Sequence, residues 1–357
     1  MSMMHTNQRG YILTFTLALI ALFMFLATYV SNKGLVFNSY TKTMVDREKA
    51  RILAYGGIQL AISQLVTVPA KQEAPVSGPQ EKKAEQPSDG KQLLKVILPQ
   101  INRLQKYELK QNIEGINATV GFMLMSEEGK ININRFYDFD KHKFLGDEQG
   151  AKAEAQPEKN MRTLFQQLFA QIKEQTNADL FAEFEKFLKE RKYPLNDVTE
   201  LLTVKGFDVF KDSAYVDPLA TDQKKPKVYL TDIFTVSSSK QSIEPWLISN
   251  SLASLLKLQR DPAKVPPVDE LLKSFKDKSD WKTDWDKSLK NWYGVEFAAL
   301  PKFANQLLNP VFDPKMFSVF VFATVGTVTV RLIALLEREK QEKDAPAIVH
   351  IRSVYVI

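Results

Sequence analysis

The N-terminal part of the chain is an apolar run that passes into an amphipathic one. Tyr11–Val30 contains twenty residues without a charge. That is the length a helix needs to cross a hydrocarbon core of about 30 Å. From Tyr40 to Leu65, apolar and small residues continue at helical spacing, with charged residues between them. The pattern predicts one long helix over residues 11–68, whose first part, 11–30, spans a membrane.

A short polar segment precedes the apolar run and contains Arg9. Because positive charge favours the cytoplasmic side, residues 1–10 are expected in the cytoplasm and the bulk of the chain across the membrane. A secretory signal is the first alternative. Such a signal has a shorter apolar core and a small-x-small cleavage site, to which Ala27–Tyr29 is a poor match.

Two polar segments divide the rest of the chain. Between Pro69 and Lys91 there are four prolines and no aromatic residue. Such a composition cannot bury enough apolar surface to offset its ordering entropy, so 69–91 is predicted to be a flexible linker. The second polar run, 146–159, is predicted to be an exposed loop.

Strand patterns occupy two separate parts of the chain beyond the linker. Apolar and β-branched runs bounded by turn residues predict strands. These runs are Tyr107–Ile113, Ala118–Met125, Met316–Val325, Val328–Leu336 and Ile348–Ile357. The last three predict a meander, with Thr324, Thr329 and Arg331 as candidates for its outward face.

Between the two groups of strands the chain is predicted to be helical over 160–312. Apolar residues recur at three- and four-residue spacing in Met161–Lys173 and Ala178–Lys189. Further on, Asn196 or Asp197 is expected to cap another helix, with Glu200 near the capping-box position.

That last segment ends at Gly206 and carries the pattern Glu-Leu-Leu-x-Val-x-Gly, which also occurs in helix-hairpin-helix DNA-binding proteins. The second glycine of such a hairpin is missing, and no basic cluster surrounds the segment. The formal charge of +6 is spread over lysines interleaved with acids. Nucleic acid is therefore not a predicted partner.

Catalytic patterns are not found in the sequence. It has no cysteine and three histidines far apart, and it lacks the phosphate-loop, dinucleotide and Gly-x-Ser-x-Gly motifs. The chain is therefore predicted not to be an enzyme.

The start of the chain resembles the processing site of type IV pilins and type II secretion pseudopilins. Gly10 directly precedes the apolar helix, and in that family a prepilin peptidase cuts after this glycine, which would make Tyr11 the first mature residue. Phe15 would then stand at mature position five, where most members carry a glutamate that pairs with a neighbour's N-terminal amine. In that family, the K-type minor pseudopilin regularly lacks this glutamate.

A second stretch resembles the same type. Ser126-Glu-Glu-Gly-Lys-Ile-Asn-Ile-Asn134 follows a predicted strand, as an acid-acid-Gly-Lys-Ile-Asn-Ile-Asn segment does in K-type pseudopilins. Taken alone, the turn at Glu128-Gly129 followed by alternating Ile and Asn predicts an ordinary hairpin edge. Further on, Glu244-Pro245-Trp246 departs from the Asn-x-Asn-Thr-Ala that the family usually has there.

The resemblance implies an α+β fold. Its parts are a long N-terminal transmembrane helix, a pilin-like antiparallel sheet formed by 92–145 and 313–357, and a large helical, SAM-like domain inserted over 160–312. It also implies calcium as a cofactor, because several pseudopilins bind it and loop carboxylates are suitable ligands. Asp208, Asp212, Asp217 and Asp222 are the candidate ligands.

The implied function is structural: a minor pseudopilin at the tip of a periplasmic pseudopilus, which initiates filament assembly for type II secretion. The chain would be a single-pass protein of the bacterial inner membrane with its bulk in the periplasm. Its implied partners are the major and other minor pseudopilins, the prepilin peptidase, the inner-membrane secretion platform and the secreted substrate. The alternatives are an uncleaved membrane-anchored periplasmic adaptor and a minor pilin of a type IV pilus system.

Overall fold

The computed structural model describes residues 6–66, 93, 95–146, 161–219, 228–238, 240–258, 290, 293–296, 299–301, 304, 307–308, 313–340 and 346–357. Side chains are described from Leu13 onward. The predicted linker, 69–91, lies outside the described residues. So does the predicted loop, 146–159, apart from Gly146.

The described elements include both helices and strands. In chain order they are α1 (Thr6–Val66), β1 (Leu104–Leu109), α2 (Gln111–Glu114), β2 (Ala118–Ser126), β3 (Ile131–Asn132), α3 (Ile133–Phe136), β4 (Tyr137–Asp138), β5 (Lys143–Phe144), α4 (Met161–Thr176), α5 (Phe181–Glu190), α6 (Leu230–Ile233), β6 (Phe234–Thr235), α7 (Asn250–Leu255), β7 (Met316–Val325), β8 (Val328–Glu339) and β9 (Ile348–Val356). Short 3₁₀ turns cover Glu127–Gly129, Val198–Thr203, Phe207–Ser213 and Pro245–Leu247.

The long helix α1 is a single helix of 61 residues. It starts inside the polar segment 1–10 and ends close to the predicted boundary. Its buried positions begin only at Ala50 and recur at helical spacing. They are Ala50, Ala54, Gly57, Ile58, Ala61 and Leu65. Most of these residues are small, so this face brings the helix backbone close to the sheet.

Five antiparallel strands form the main sheet, in the order β1-β2-β7-β8-β9. The apolar and β-branched runs therefore form strands as predicted, and the α+β class is confirmed. The first strand was placed too late: β1 ends at Leu109, and Gln111–Glu114 forms a helical turn closed by Gly115 at φ 74°. Thr324 of β7 and Thr329 of β8 lie opposite each other in the sheet, with their hydroxyl oxygens 2.9 Å apart.

The last part of α1, from about Ala50, packs across β2, β7 and β8. At Gly57 the approach is so close that an added Cβ would lie 2.5 Å from Val321 Cγ1. Near one end of the sheet, Asp46 approaches Gly326 of the β7–β8 turn. At the other end, Arg338 of β8 donates from Nε to the carbonyl oxygen of Leu65, 3.1 Å away. We call the end at Asp46 the proximal end and the end at Leu65 the distal end, because α1 extends beyond the sheet on the Asp46 side.

The described residues between β2 and β7 form the inserted segment, which starts at the distal end. A cluster of phenylalanine rings fills its core, with centroid separations of 4.8 to 6.4 Å. The rings are those of Phe165, Phe169, Phe184, Phe207 and Phe234. The predicted capped helix is a 3₁₀ helix, with Asp197 and Glu200 forming the capping box. Gly206 follows it at φ 88°.

Candidate assembly helix and buried junction

The first part of α1 buries none of its described side chains, although Asp46 near its end approaches Gly326. No side chain from residue 13 to 49 is buried, and Phe15, Phe25 and Phe37 are 64%, 70% and 72% exposed. This part is about 55 Å long at 1.5 Å per residue, and it is long and apolar enough to cross a membrane. An apolar surface of this size marks a contact with lipid or with other proteins.

Between Tyr11 and Val45 the sequence has no carboxylate, and its charged residues are Lys33 and Lys42. Phe15 lies within it as an exposed apolar residue. Gly10 and Tyr11 belong to the helix backbone, but their side chains are outside the described set. Processing after Gly10 therefore stays a prediction.

The stretch Glu127–Asn134, here called the junction segment, is buried rather than an exposed hairpin edge. The hairpin interpretation is wrong: β3 pairs in parallel with β6, from which it is about a hundred residues distant in the chain. Every residue from Glu127 to Ile133 is buried. Buried charged groups are costly unless they are paired or hydrogen-bonded, so the partners of these side chains define the site.

Glu128 ties the junction segment to the start of β7. Its carboxylate accepts hydrogen bonds from the backbone N–H groups of Lys315, at 3.2 Å, and Met316, at 3.0 Å. The Ser126 hydroxyl donates to the same carboxylate at 3.1 Å. Burial raises the pKa of Glu128, and these hydrogen bonds oppose the rise. The side chain thus closes the sheet where β2 ends and β7 begins.

Gly129 lets the junction segment approach the turn at Pro245–Leu247. An added Cβ would lie 1.8 Å from the carbonyl oxygen of Leu247, a contact that no real side chain makes. The backbones are hydrogen-bonded on either side: Glu244 N–H donates to the carbonyl of Glu128 at 2.9 Å, and Ser249 N–H to that of Gly129 at 3.1 Å. Only glycine fits here without moving the backbone.

Glu127 and Lys130 form a buried ion pair at the same place, with 2.5 Å between the carboxylate oxygen and the ammonium. Lys130 also donates to the hydroxyl of Ser318 in β7, at 3.1 Å. The Thr235 hydroxyl of β6 donates to the other carboxylate oxygen of Glu127. The pair therefore joins β7 on one side to β6 on the other.

The two asparagines of the junction segment bind backbone groups that lie further along the inserted segment. Asn132 donates to the carbonyl of Ser238 at 2.5 Å. Asn134 donates to the carbonyl of Leu195 at 2.8 Å and accepts from its N–H at 2.9 Å. Because a primary amide can donate and accept at once, it suits this two-way contact.

Glu244 extends the network toward the segment before β7. It forms an ion pair with Lys240 and accepts from the N–H of Asp313 at 3.0 Å, and Lys240 donates to the Asp313 carbonyl at 2.7 Å. Its Oε2 is buried, and it has no hydrogen-bond partner among the described residues. Burial raises the pKa of Glu244 to about 7, although Lys240 opposes this.

The candidate calcium ligands do not converge within the described part of the chain. Asp208 and Asp212 lie on the 3₁₀ turn Phe207–Ser213, Asp217 forms an ion pair with Arg331 at 3.6 Å, and Asp222 lies outside the described residues. Among the described residues no group of three His, Asp or Glu side chains could hold a metal ion. Calcium binding at these residues stays a prediction.

No family model and no curated protein sequence matches the chain. Among solved structures, one similar chain belongs to the crystal structure of the GspK-GspI-GspJ complex from the type 2 secretion system of enterotoxigenic Escherichia coli. The similarity covers 88% of this chain and 98% of that one, at 14% sequence identity and a TM-score of 0.46.

Proposed function

We propose that this chain is a minor pseudopilin, anchored in the bacterial inner membrane by α1, that initiates and caps a periplasmic filament for type II secretion. The observation that carries the proposal is α1 itself. One continuous helix has a long, exposed and largely apolar first part, and its last turns, from Ala50 onward, pack on an antiparallel sheet. Such a helix can lie in a membrane first and among the helices of sister subunits later, because both surroundings are apolar.

The position at the tip is supported by two features. The apolar half offers no carboxylate to a neighbour's N-terminal amine, since Phe15 occupies the position concerned. In addition, the inserted segment leaves the sheet at the distal end, through Glu128 and its bonds to Lys315 and Met316. An inserted segment at the distal end is compatible with the last subunit of a filament, because it would obstruct a further subunit stacked above it.

The partners in this role are the major pseudopilin and the other minor pseudopilins, bound through α1. The prepilin peptidase would act at Gly10, and the secretion platform would receive the processed subunit. The sheet and the inserted segment, here together called the head, would lie in the periplasm and face the secreted substrate or another minor subunit. No step requires an enzyme activity of this chain.

The role is tested by replacing Gly10 with aspartate in a host that has the prepilin peptidase. The mature N-terminus is read by mass spectrometry, with a peptidase-deficient host as the control. We expect the leader to stay attached in Gly10→Asp and secretion to fail, while the wild-type chain starts at Tyr11. An unprocessed wild-type chain that still supports secretion would instead favour the uncleaved adaptor.

A further inference from the structure

A basic cleft lies on the inserted segment, and its lining shares no residue with the junction segment. Its volume is about 500 Å³, and its lining contains Lys141, His142, Lys143, Arg162 and Lys189, with Glu185 as the carboxylate. Three elements contribute: the β4–β5 hairpin, α4 and α5. The volume lies within the usual range for ligand sites.

Glu185 positions two of the cations rather than neutralising the cleft. Arg162 donates to its two carboxylate oxygens at 2.8 and 2.9 Å, and Lys189 lies 2.9 Å from one of them. The hydrogen bonds from Arg162 hold the pKa of Glu185 at about 2, so the carboxylate stays ionised. Arg162 is further fixed 5.8 Å from the Phe181 ring centroid.

The hairpin supplies the remaining cations. Lys141 pairs with Asp138 at 3.2 Å. Lys143 lies directly across the hairpin from Asp138, but among the described residues no carboxylate reaches its ammonium within ion-pair distance. Among the described residues, four lysine and arginine side chains thus face two carboxylates, Asp138 and Glu185. This part of the chain therefore keeps an excess of positive charge that a ligand with several carboxylates would complete.

The membrane surface is not the ligand that this position favours. About twenty residues of α1, or roughly 30 Å of helix, separate the predicted span at 11–30 from the first buried residue, Ala50. The inserted segment joins the sheet at the far end of β2, a further nine residues away, or roughly 30 Å. Both distances exceed the Debye length of about 8 Å at physiological salt.

We propose that this cleft binds an acidic peptide segment of another protein, through the carboxylates of that segment. The ligand is recognised by charge at Lys143, Arg162 and Lys189, and Phe144 supplies an apolar floor. This inference goes beyond the filament role and does not depend on it: an uncleaved, membrane-anchored chain would present the same cleft.

The test uses the full-length protein in detergent and a fluorescein-labelled peptide of eight glutamates, with binding followed by fluorescence anisotropy. Lys143→Gln/Lys189→Gln removes two charges from the cleft. Lys106→Gln/Lys110→Gln removes two exposed charges at β1 and is the control matched in charge. We expect the cleft variant to weaken binding at least tenfold and the control less than threefold.

Three outcomes would overturn the proposal. The first is equal weakening by both double variants, which would show an unspecific charge effect. The second is displacement of the peptide by inorganic phosphate at concentrations similar to those of the peptide itself, which would indicate a small-anion site. The third is loss of binding to anionic phosphatidylglycerol vesicles in the cleft variant with peptide binding retained, which would identify lipid as the ligand. Thermal melting of each variant verifies that the fold is kept.

Discussion

At the scale of single residues, two glycines in different parts of the fold are expected to respond in opposite ways to the same substitution. Gly129 lies against the backbone of Leu247 without room for a side chain, whereas Gly56 of α1 has nothing within 4 Å of an added Cβ. The two glycines therefore form a matched pair for the same substitution.

We expect Gly129→Ala to lower the free energy of unfolding by about 3 kcal/mol or more, since the backbone has to move to avoid overlap. Gly56→Ala should raise it by up to about 1 kcal/mol, because alanine is the better helix former. Urea denaturation of both variants in detergent measures the difference. Equal stability of the two variants would contradict the contact between Gly129 and Leu247.

Glu244 gives the head a pH-dependent stability. Its pKa in the folded chain is about 7 against 4.5 for the ordinary side chain, so the folded state holds more protons between these values. The free energy of unfolding should therefore fall as pH rises from about 5 to 7, by on the order of 3 kcal/mol at most. Burial raises the pKa of Glu128 and Asp232 as well, which adds to the same trend.

Denaturation at pH 5 and pH 8 measures this dependence. Glu244→Gln should reduce the difference in stability between the two pH values, and the exposed Glu190→Gln should leave it unchanged. If Glu244→Gln keeps the whole wild-type pH dependence, the buried carboxylate is not its source.

At the scale of elements, the strands and long helices were predictable because their apolar residues show the period of the element. The junction segment was predicted wrongly, because an alternation of Ile and Asn is typical of an exposed hairpin edge as well as of a buried contact. Its partners come from Leu195, Phe234 and Met316, far along the chain, and no local pattern reveals them. The basic cleft could not be predicted for the same reason, because its charged side chains come together only after β5, α4 and α5 have packed.

The exposed first part of α1 leads to a prediction for substitutions at Phe15. Phe15→Leu exchanges one exposed apolar side chain for another of similar kind, so secretion in a complementation assay should stay near the wild-type level. Phe15→Glu puts a carboxylate in apolar surroundings without a partner of its own and should be neutral or mildly inhibitory. A severe loss with Phe15→Leu would show that the aromatic ring is itself recognised.

At the scale of the whole molecule, the free helix and the head are separable. None of the described side chains from residue 13 to 49 is buried, so deletion of residues 1–35 removes no buried contact of the sheet that the structure describes. We expect the truncated chain to dissolve without detergent and to melt within a few degrees of the full-length protein, as followed by circular dichroism. A loss of more than about 10 °C would mean that the apolar half supports the head.

The tip assignment also belongs to this scale. A subunit that initiates the filament is needed in few copies, so quantitative mass spectrometry of purified filaments should find it far below the major subunit. Comparable amounts of the two, spread along the filament, would contradict the tip position but not the pseudopilin fold.

The pairing of β2 with β7, which the bond between Glu128 and Met316 closes, has a consequence for folding during synthesis. The two residues are 188 positions apart, and β7 lies between β2 and β8 in the sheet. Such non-local pairing is slow and waits for its last strand. Until β7 emerges, β2 lacks its central neighbour in the sheet, and the small-residue face of α1 lacks the β7 and β8 surface on which it packs. The newborn chain is thus most prone to aggregation just before its C-terminal strands appear, and a chaperone would have to act in that interval.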